Sequence, residues 1–371
     1  MLSPFFTLLW AINLFMPQKQ NAMKEDNLPS KKIQQIVNST VDGKLVYGTI
    51  LNLSKNGESE TFAAGNLKET DSYFIASTTK LFVTAIIMNL RSQNLLKLDD
   101  SISKYLDSNE VNKLVVYKGT DYSNTVTIRH LLSQTSGIPD YFEEKKIDGR
   151  SLLDEICAGN DKAWTYYETL ELAKKMKPTF KPGEKGKAGY SDTNYQLLGK
   201  IISNITKLSV SENISKMICQ PLNLKYTYLY TNISDTQPAP LYFKKNKLNI
   251  PMAMSSFGAD GGIVSTAQDC DIFLKAFFSG KLFPIEYLDE MYQWNKIFFP
   301  LEYGVGLMRF KLPWFFSPFK RLPILYGHSG LSGAFAFYCP DKNLFITGTV
   351  NQIANPDISY KLLVKVINSI K

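Results

Sequence analysis

A serine and a lysine three positions apart are the first candidates for chemistry in this sequence. Ser77 and Lys80 lie in the apolar segment FIASTTKLFVTAII (74–87), where an unpaired ammonium would be costly to bury. Residues i and i+3 share one helix face, so the two side chains meet if a helix begins near Ser77. Burial disfavours a charged lysine, and a neutral amine is a general base for a serine nucleophile. The alternative is a chance S-x-x-K pair with Lys80 reaching solvent.

A second candidate group, Tyr190, Ser191 and Asp192, lies in PGEKGKAGYSDTNYQLLGKII (182–202). These residues follow a glycine-rich loop and precede a helical pattern, where Thr193 or Asp192 is suited to cap the helix. The functional interpretation makes the Tyr190 hydroxyl a second proton carrier beside Lys80. The alternative is a capping loop with a packed tyrosine.

A third group, His328, Ser329 and Gly330, lies in LYGHSGLSGAFAFY (325–338), which predicts a strand. Glycine at this position would let a substrate backbone lie against the strand edge. The alternative is a β-hairpin whose histidine is a hydrogen-bonded polar residue. GHSGL and GLSGA resemble the G-x-S-x-G pattern of α/β-hydrolases, but each ends in the wrong residue. A strand also follows where a nucleophile elbow needs a helix, so an α/β-hydrolase is the lesser alternative.

The elements that must position these residues form a sheet region at the two ends of the chain and a helical region between them. The runs KLVYGTILNLS and ESETFAAGN, joined by the turn signal Asn56-Gly57, predict a hairpin. Residues 79–96 are apolar nearly all round, which predicts a buried helix. The final ISYKLLVKVINSI predicts an amphipathic helix. We expect one α/β (α+β) domain over 30–371, with sheet at about 30–75 and 300–371 and helices at about 77–298.

Composition excludes several classes of function. The four cysteines are far apart without a CxxC pair, and the chain has 2 histidines, so we expect neither a disulfide framework nor a metal site. No cofactor motif is apparent. The formal net charge of +8 is spread over loops, which argues against a nucleic-acid partner.

Two segments rich in apolar and aromatic residues bear on where the protein is located and on what surrounds its substrate cleft. LSPFFTLLWAINLFM (2–16) has the length of a signal-peptide core and is short for a membrane span. We therefore expect residues 1–22 to be an export signal or a retained membrane anchor, and the protein to be extracytoplasmic. KLPWFFSPFKRLPILY (311–326) combines aromatic residues and cations with prolines, which predicts a loop. This loop packs on the protein, walls the substrate cleft or contacts a membrane.

The three groups, in this order and spacing, resemble the serine beta-lactamase and penicillin-binding-protein superfamily. The likeness is greatest to its class C-like branch, which includes D-alanyl-D-alanine carboxypeptidases and esterases. It extends to TIRHLLSQTSGIPDY (127–141) and SSFGADGGIVSTAQDCDIFLKAF (255–277). The resemblance implies a five-stranded antiparallel sheet flanked by helices, with an inserted helical region and the active site between them. It also implies an acyl-enzyme hydrolase of small-molecule or peptidoglycan-peptide amides or esters, of unknown oligomeric state.

The resemblance assigns roles residue by residue. Ser77 matches the nucleophile, Lys80 its base, and Tyr190 the tyrosine of the Y-x-N motif. The triplet 328–330 takes the place of K-T-G, and the amides of Ser77 and Leu331 would form the oxyanion hole.

Two residues depart from the family's pattern. Asp192 stands where the motif usually has asparagine, so an acceptor replaces a donor to the substrate. His328 stands where lactamases carry lysine, which weakens the positive field for a substrate carboxylate. Both changes argue against efficient beta-lactamase activity. They also leave open a non-hydrolytic sensor of penicillin or peptidoglycan on the same fold.

Overall fold

The computed structural model of the protein describes residues 28–146, 149–312 and 322–370. The predicted signal or anchor (1–22) and the central part of the aromatic loop (313–321) lie outside the described residues. Among the described residues, no helix is both long and apolar enough to cross a bilayer.

The described residues form strands and helices in the order expected from the sequence. The strands are β1 Gly48–Lys55, β2 Glu58–Gly65, β3 Tyr73–Phe74, β4 Val116–Tyr117, β5 Thr120–Asp121, β6 Tyr228–Leu229, β7 Tyr242–Phe243, β8 Asn246–Lys247, β9 Ile263–Ser265, β10 Asn295–Phe298, β11 Leu301–Tyr303, β12 Met308–Phe310, β13 Leu325–Ser329, β14 Ala334–Cys339 and β15 Leu344–Thr349. The α-helices are α1 Ser30–Thr40, α2 Thr79–Ser92, α3 Ser108–Val111, α4 Ile128–Leu132, α5 Leu152–Cys157, α6 Tyr166–Lys175, α7 Asp192–Thr206, α8 Val210–Ile214, α9 Gln220–Leu222, α10 Pro251–Met254, α11 Ala267–Phe278, α12 Tyr287–Met291 and α13 Asp357–Ser369.

The main sheet is antiparallel, with the strand order β10-β11-β12-β13-β14-β15-β1-β2 in the described residues. Five neighbouring strands, β2, β1, β15, β14 and β13, have 5 to 8 residues each. They correspond to the expected five-stranded sheet. The expected count was too low, because the short strands β12, β11 and β10 extend the sheet beyond β13. Their 3 or 4 residues are too few for a clear alternating pattern.

Both faces of the sheet are covered, as the alternation of side chains along β14 illustrates. Phe335 and Phe337 belong to the core under the terminal helices α1 and α13. Ala334 and Ala336 point to the opposite face, into the core that the sheet shares with the helical region. The predicted hairpin is present, since β1 pairs with β2 across the Asn56-Gly57 turn. The predicted terminal helix is α13.

The helix that carries Lys80 lies at the centre of the molecule. In α2 every residue from Thr79 to Met88 is buried, as the all-round apolar pattern predicted. The helix ends at Ser92, four residues before the predicted end, and Asn94 adopts a positive φ of 60°. Asparagine tolerates this left-handed conformation better than most residues, so it provides a local reason for the chain to leave the helix here.

Candidate active site

Ser77 lies in a tight turn between a short strand and the central helix. The 3₁₀ turn Ala76–Thr78 connects β3 to α2. Ala76 has a φ of 45°, which is uncommon for a residue with a Cβ and is a form of strain that clusters at functional sites. The turn is anchored on both sides, because the Ile75 amide donates to the Ile263 carbonyl at 3.0 Å and the Ser332 hydroxyl donates to the Phe74 carbonyl at 2.7 Å.

Lys80 is completely buried, and its ammonium has three oxygen partners. Nζ lies 3.0 Å from Ser77 Oγ, 2.6 Å from the Asp260 carbonyl oxygen and 2.6 Å from Asp192 Oδ1. The first two contacts are hydrogen bonds, and the third is an ion pair. The sequence predicted the pair with Ser77 but expected burial to favour a neutral amine. The Asp192 carboxylate changes that balance, because a paired charge is stabilised where an isolated one is not.

Asp192 is held at the start of α7 by a segment that is distant in sequence. Its amide donates to Asp140 Oδ1 at 2.9 Å. The preceding Ser191 donates from its amide to Gln134 Oε1 at 3.0 Å and from its hydroxyl to the Pro139 carbonyl at 3.1 Å. The first turn of a helix favours a negative charge. The segment 127–141 therefore positions the carboxylate that pairs with Lys80.

Two further carboxyl groups, Asp140 and Asp260, are buried beside Asp192. Burial, with the negative charge of Asp192 as the next cause, raises the pKa of both groups well above the usual range. Asp260 Oδ2 accepts hydrogen bonds from the Tyr141 hydroxyl at 2.7 Å and from Gln196 Nε2 at 3.0 Å. Asp192 is the carboxyl group that lies against Lys80, and the raised pKa of its two neighbours favours their protonated forms.

Tyr190 is half-buried and lies beside the ammonium. Its ring centroid is 5.1 Å from Lys80 Nζ, and the ring packs edge-on against Tyr303 at 6.1 Å. Burial, followed by the charge of Asp192, raises the pKa of Tyr190 well above its usual value, and the interaction with the Ser77 side chain acts in the opposite direction. The phenol is therefore a proton donor in the resting site.

His328 is completely buried in β13 and is not among the residues that line the cleft. Burial, followed by the charge of Lys80, lowers the pKa of His328 to about 3, so the ring is neutral. Nδ1 then carries the proton and donates to the Ser329 carbonyl at 2.6 Å. Nε2 accepts from the Tyr303 hydroxyl at 3.1 Å. His328 supplies no positive charge to a substrate, in keeping with the weakened field expected from the sequence.

Ser329, Gly330 and Leu331 line the cleft beside Ser77. The Ser329 hydroxyl is 2.5 Å from the Tyr360 hydroxyl of α13. A Cβ placed on Gly330 would lie 2.5 Å from the Ile75 carbonyl oxygen and 3.1 Å from the Ser77 nitrogen. Only glycine permits so close an approach, and it brings β13 against the turn that carries the nucleophile.

Ser77 lies where two cavities meet. The larger is a cleft of about 440 Å³. The smaller, with a volume of about 50 Å³, is an apolar slot, formed mainly by Phe74, Phe142, Leu153, Ile156, Leu241, Ile250, Met254, Phe257, Leu331 and Ile353. Glu143 and Leu331, like Ser77, line both cavities.

The sequence identified Ser77, Lys80, Tyr190 and Asp192, and the structure brings these four residues together. It did not identify the buried carboxyl groups or Glu143. The sequence did contain an indication, because the family resemblance extends to the segments 127–141 and 255–277. The neighbouring residues in those segments, however, assign no role to their carboxyl groups. Among the described residues, no cluster of acidic, histidine or cysteine side chains is suited to hold a metal ion.

Comparison with known proteins agrees with this geometry. The profile of the Beta-lactamase family matches residues 33–360. Protein flp of Staphylococcus aureus is 33% identical over 158 residues, which cover 43% of this chain and 28% of that protein. The match thus spans less than a third of that relative.

Solved structures extend the likeness over nearly the whole chain. A D-stereospecific amidohydrolase from Streptomyces sp. superposes with a TM-score of 0.75 at 26% identity, covering 92% of this chain and 98% of its own. The octameric penicillin-binding protein homologue from Pyrococcus abyssi gives a TM-score of 0.71 at 27% identity, covering 91% and 77%.

Proposed function

The chain belongs to the beta-lactamase family, and we propose that it is a serine hydrolase that opens amide or ester bonds through an acyl-enzyme on Ser77. The observation that carries this proposal is the 3.0 Å contact between Lys80 Nζ and Ser77 Oγ, at a buried polar centre that opens into a cleft. The likeness to a D-stereospecific amidohydrolase supports an amide bond as the target.

The reaction begins when Lys80 passes one proton to water in the cleft and becomes a base. Ser77 Oγ then attacks the substrate carbonyl carbon while its proton moves to Lys80 Nζ. The backbone amides of Ser77 and Leu331 stabilise the developing oxyanion. Tyr190 and Lys80 deliver a proton to the leaving nitrogen or oxygen as the scissile bond breaks. Water, deprotonated by the same pair, finally hydrolyses the ester and restores Ser77.

The substrates supported are small amides and esters or short peptides, including peptides of peptidoglycan. The likeness to a penicillin-binding protein homologue agrees with this range. Efficient turnover of beta-lactams is not part of the proposal, because neutral His328 and anionic Asp192 offer little attraction to a beta-lactam carboxylate.

Intact-protein mass spectrometry tests the proposal. The protein is incubated with p-nitrophenyl acetate or benzylpenicillin and sampled over time, with Ser77→Ala as the test variant. Ser39→Ala, at an exposed serine of α1, is the matched control. We expect an acyl adduct on the wild type and on Ser39→Ala but none on Ser77→Ala. An unchanged rate of ester hydrolysis by Ser77→Ala would overturn the proposal.

A sensor that acylates and does not turn over is the second candidate. The altered second and third motifs favour it, since Asp192 stands in place of asparagine and His328 in place of lysine. An adduct that persists for hours would support the sensor, and one that clears within seconds would support the hydrolase.

The expected location outside the cytoplasm is also part of the proposal. It depends on residues 1–22, which lie outside the described residues. N-terminal sequencing of the protein recovered from its host tests it, because an exported protein starts after the apolar segment 2–16 or remains with the membrane fraction.

A further inference from the structure

The two cavities at Ser77 are lined by carboxyl groups and, among the described residues, by no lysine, arginine or histidine. Glu143 and Glu144 line the cleft together with Asp140, whose raised pKa reduces its own negative charge. The nearest cation, Lys80, is buried and already paired with Asp192. A low-dielectric cleft that presents one sign of charge concentrates ligands of the opposite sign. The site therefore attracts a cationic substrate and repels an anionic one.

Glu143 is the carboxylate placed to contact such a ligand. It lines both the cleft and the slot. The residue as a whole reaches solvent, but its carboxyl group lies at the junction of the two cavities, where the surrounding side chains partly desolvate it. The Glu143 amide donates to Asp140 Oδ2 at 2.8 Å, which fixes the backbone at this point. No ion pair involves Glu143 within the described part of the chain. Its carboxylate is thus available to a ligand that lies against Ser77.

The slot provides a second recognition element. Its lining is almost entirely aliphatic and aromatic, and Phe142, next to Glu143 in the chain, forms part of the wall. Four of its residues, Phe74, Leu241, Ile250 and Met254, also line a neighbouring cavity of about 220 Å³. The slot and this second cavity therefore share a wall of four side chains. An apolar group gains free energy on entering such a slot.

A nucleophile, a free carboxylate and an apolar slot therefore meet at one point. An α-amino acid carries the three complementary groups on one carbon: the carbonyl to be attacked, an ammonium and a side chain. We propose that the acyl part of the substrate is an amino acid with a free α-ammonium and an apolar side chain, with Glu143 contacting the ammonium and the slot taking the side chain. This inference rests on the proposed serine hydrolase function.

The kinetic test compares p-nitroanilides of D- and L-phenylalanine with their N-acetylated forms, which lack the ammonium. The variant is Glu143→Gln, and the matched control is Glu69→Gln, at an exposed glutamate that lines neither cavity. We expect kcat/KM to favour the free ammonium by about tenfold or more for at least one enantiomer. Glu143→Gln should lose this preference through KM, with a much larger loss of kcat/KM on the free-ammonium substrates than on the N-acetylated ones. Glu69→Gln should retain it.

A binding measurement keeps the inference testable without turnover. In the Ser77→Ala variant, calorimetry should detect phenethylamine but not phenylacetate, and adding Glu143→Gln should weaken phenethylamine binding about tenfold. Equal binding of the two ligands, or an equal loss of activity on both substrate types in Glu143→Gln, would overturn the inference. Ser77-dependent hydrolysis of p-nitrophenyl acetate without an ammonium preference would refute the inference alone. Absence of any Ser77-dependent acylation would refute the proposed function itself.

Discussion

Asp192→Asn is the substitution that most directly tests the electrostatics of the site. It introduces the amide that the resemblance leads one to expect, and it removes the carboxylate 2.6 Å from Lys80 Nζ. At an effective dielectric constant of about 20, two unit charges at this distance attract by about 6 kcal/mol. Lys80 is completely buried. Without its partner, losing its proton costs less free energy than remaining charged.

The free energy of deprotonating Lys80 therefore limits how much stability the substitution removes. Deprotonating an ordinary lysine costs about 5 kcal/mol at pH 7 and about 2 kcal/mol at pH 9. We therefore expect Asp192→Asn to lower the free energy of unfolding by at most about 5 kcal/mol at pH 7. The folded variant then binds fewer protons than its unfolded chain, so its stability relative to wild type rises with pH, by about 1.4 kcal/mol per pH unit. Urea unfolding between pH 7 and 9 measures this slope.

Catalysis should change in the opposite direction. A neutral Lys80 is ready to accept the Ser77 proton, so the acylation burst with p-nitrophenyl acetate at pH 7 should become faster by about tenfold or more. The double variant with Lys80→Met should recover stability without a pH slope and remain inactive. Asp341→Asn, at an exposed aspartate, should match the wild type. Slower acylation together with a stability difference that does not vary with pH would refute the reasoning and would show that the Asp192 carboxylate itself accepts a proton.

Three other predictions follow from single contacts. Gly330→Ala places a Cβ 2.5 Å from the Ile75 carbonyl oxygen, so acylation should fall by about 10²-fold or more while far-ultraviolet circular dichroism is retained. Burial, then the charge of Asp192, raises the pKa of Glu143 to about 7, while Lys80 opposes the shift. The ratio of kcat/KM for a free-ammonium substrate to that for its N-acetylated form should therefore rise with pH through about 7 in the wild type but not in Glu143→Gln. Because the pKa of Asp260 is raised in the folded protein, the folded protein keeps a proton that the unfolded chain releases. The contribution of this protonated carboxyl group to the free energy of unfolding is therefore lost as pH rises. The stability of Asp260→Asn relative to wild type should accordingly increase from pH 5 to pH 8, and thermal unfolding at the two pH values checks the sign.

Local patterns were sufficient to predict much of this fold. The hairpin follows from alternation around Asn56-Gly57, and α2 and α13 follow from helical periodicity. The predicted family and fold are confirmed by the matched profile and by the Streptomyces amidohydrolase structure. Strand β12 lies in the run YGVGLMRF (303–310), whose composition predicts a strand. The short strands β10 and β11 were missed, because their pairing depends on the neighbouring strand more than on their own sequence.

The candidate site was predictable only where its residues are local or belong to a motif. Ser77 and Lys80 are one helical turn apart, so their contact follows from helix geometry. The charge state of Lys80 depends instead on Asp192 and Asp260, which are 112 and 180 positions away. Spacing carries no information about a contact at that separation. The export signal in 1–22 stays a prediction.

The two departures from the family's motifs have a common electrostatic consequence. Asparagine to aspartate at position 192 adds a negative charge, and lysine to a neutral histidine at position 328 removes a positive one. Relative to the pattern of a lactamase, the site is thus more negative by two charges. If either change stood alone, the site would lose part of its attraction for a carboxylate. Together, and with Glu143 at the junction of the cavities, they underlie the ammonium preference that we propose. A substrate ammonium near Asp192 would also compete with Lys80 for that carboxylate and so favour release of the proton that Ser77 needs Lys80 to accept. A cationic substrate would therefore help to generate the base that attacks it, and a neutral analogue would not. To isolate this effect, the acylation rates of the wild type and Asp192→Asn are compared on a charged substrate and on its N-acetylated form. The substitution should accelerate acylation less for the charged substrate.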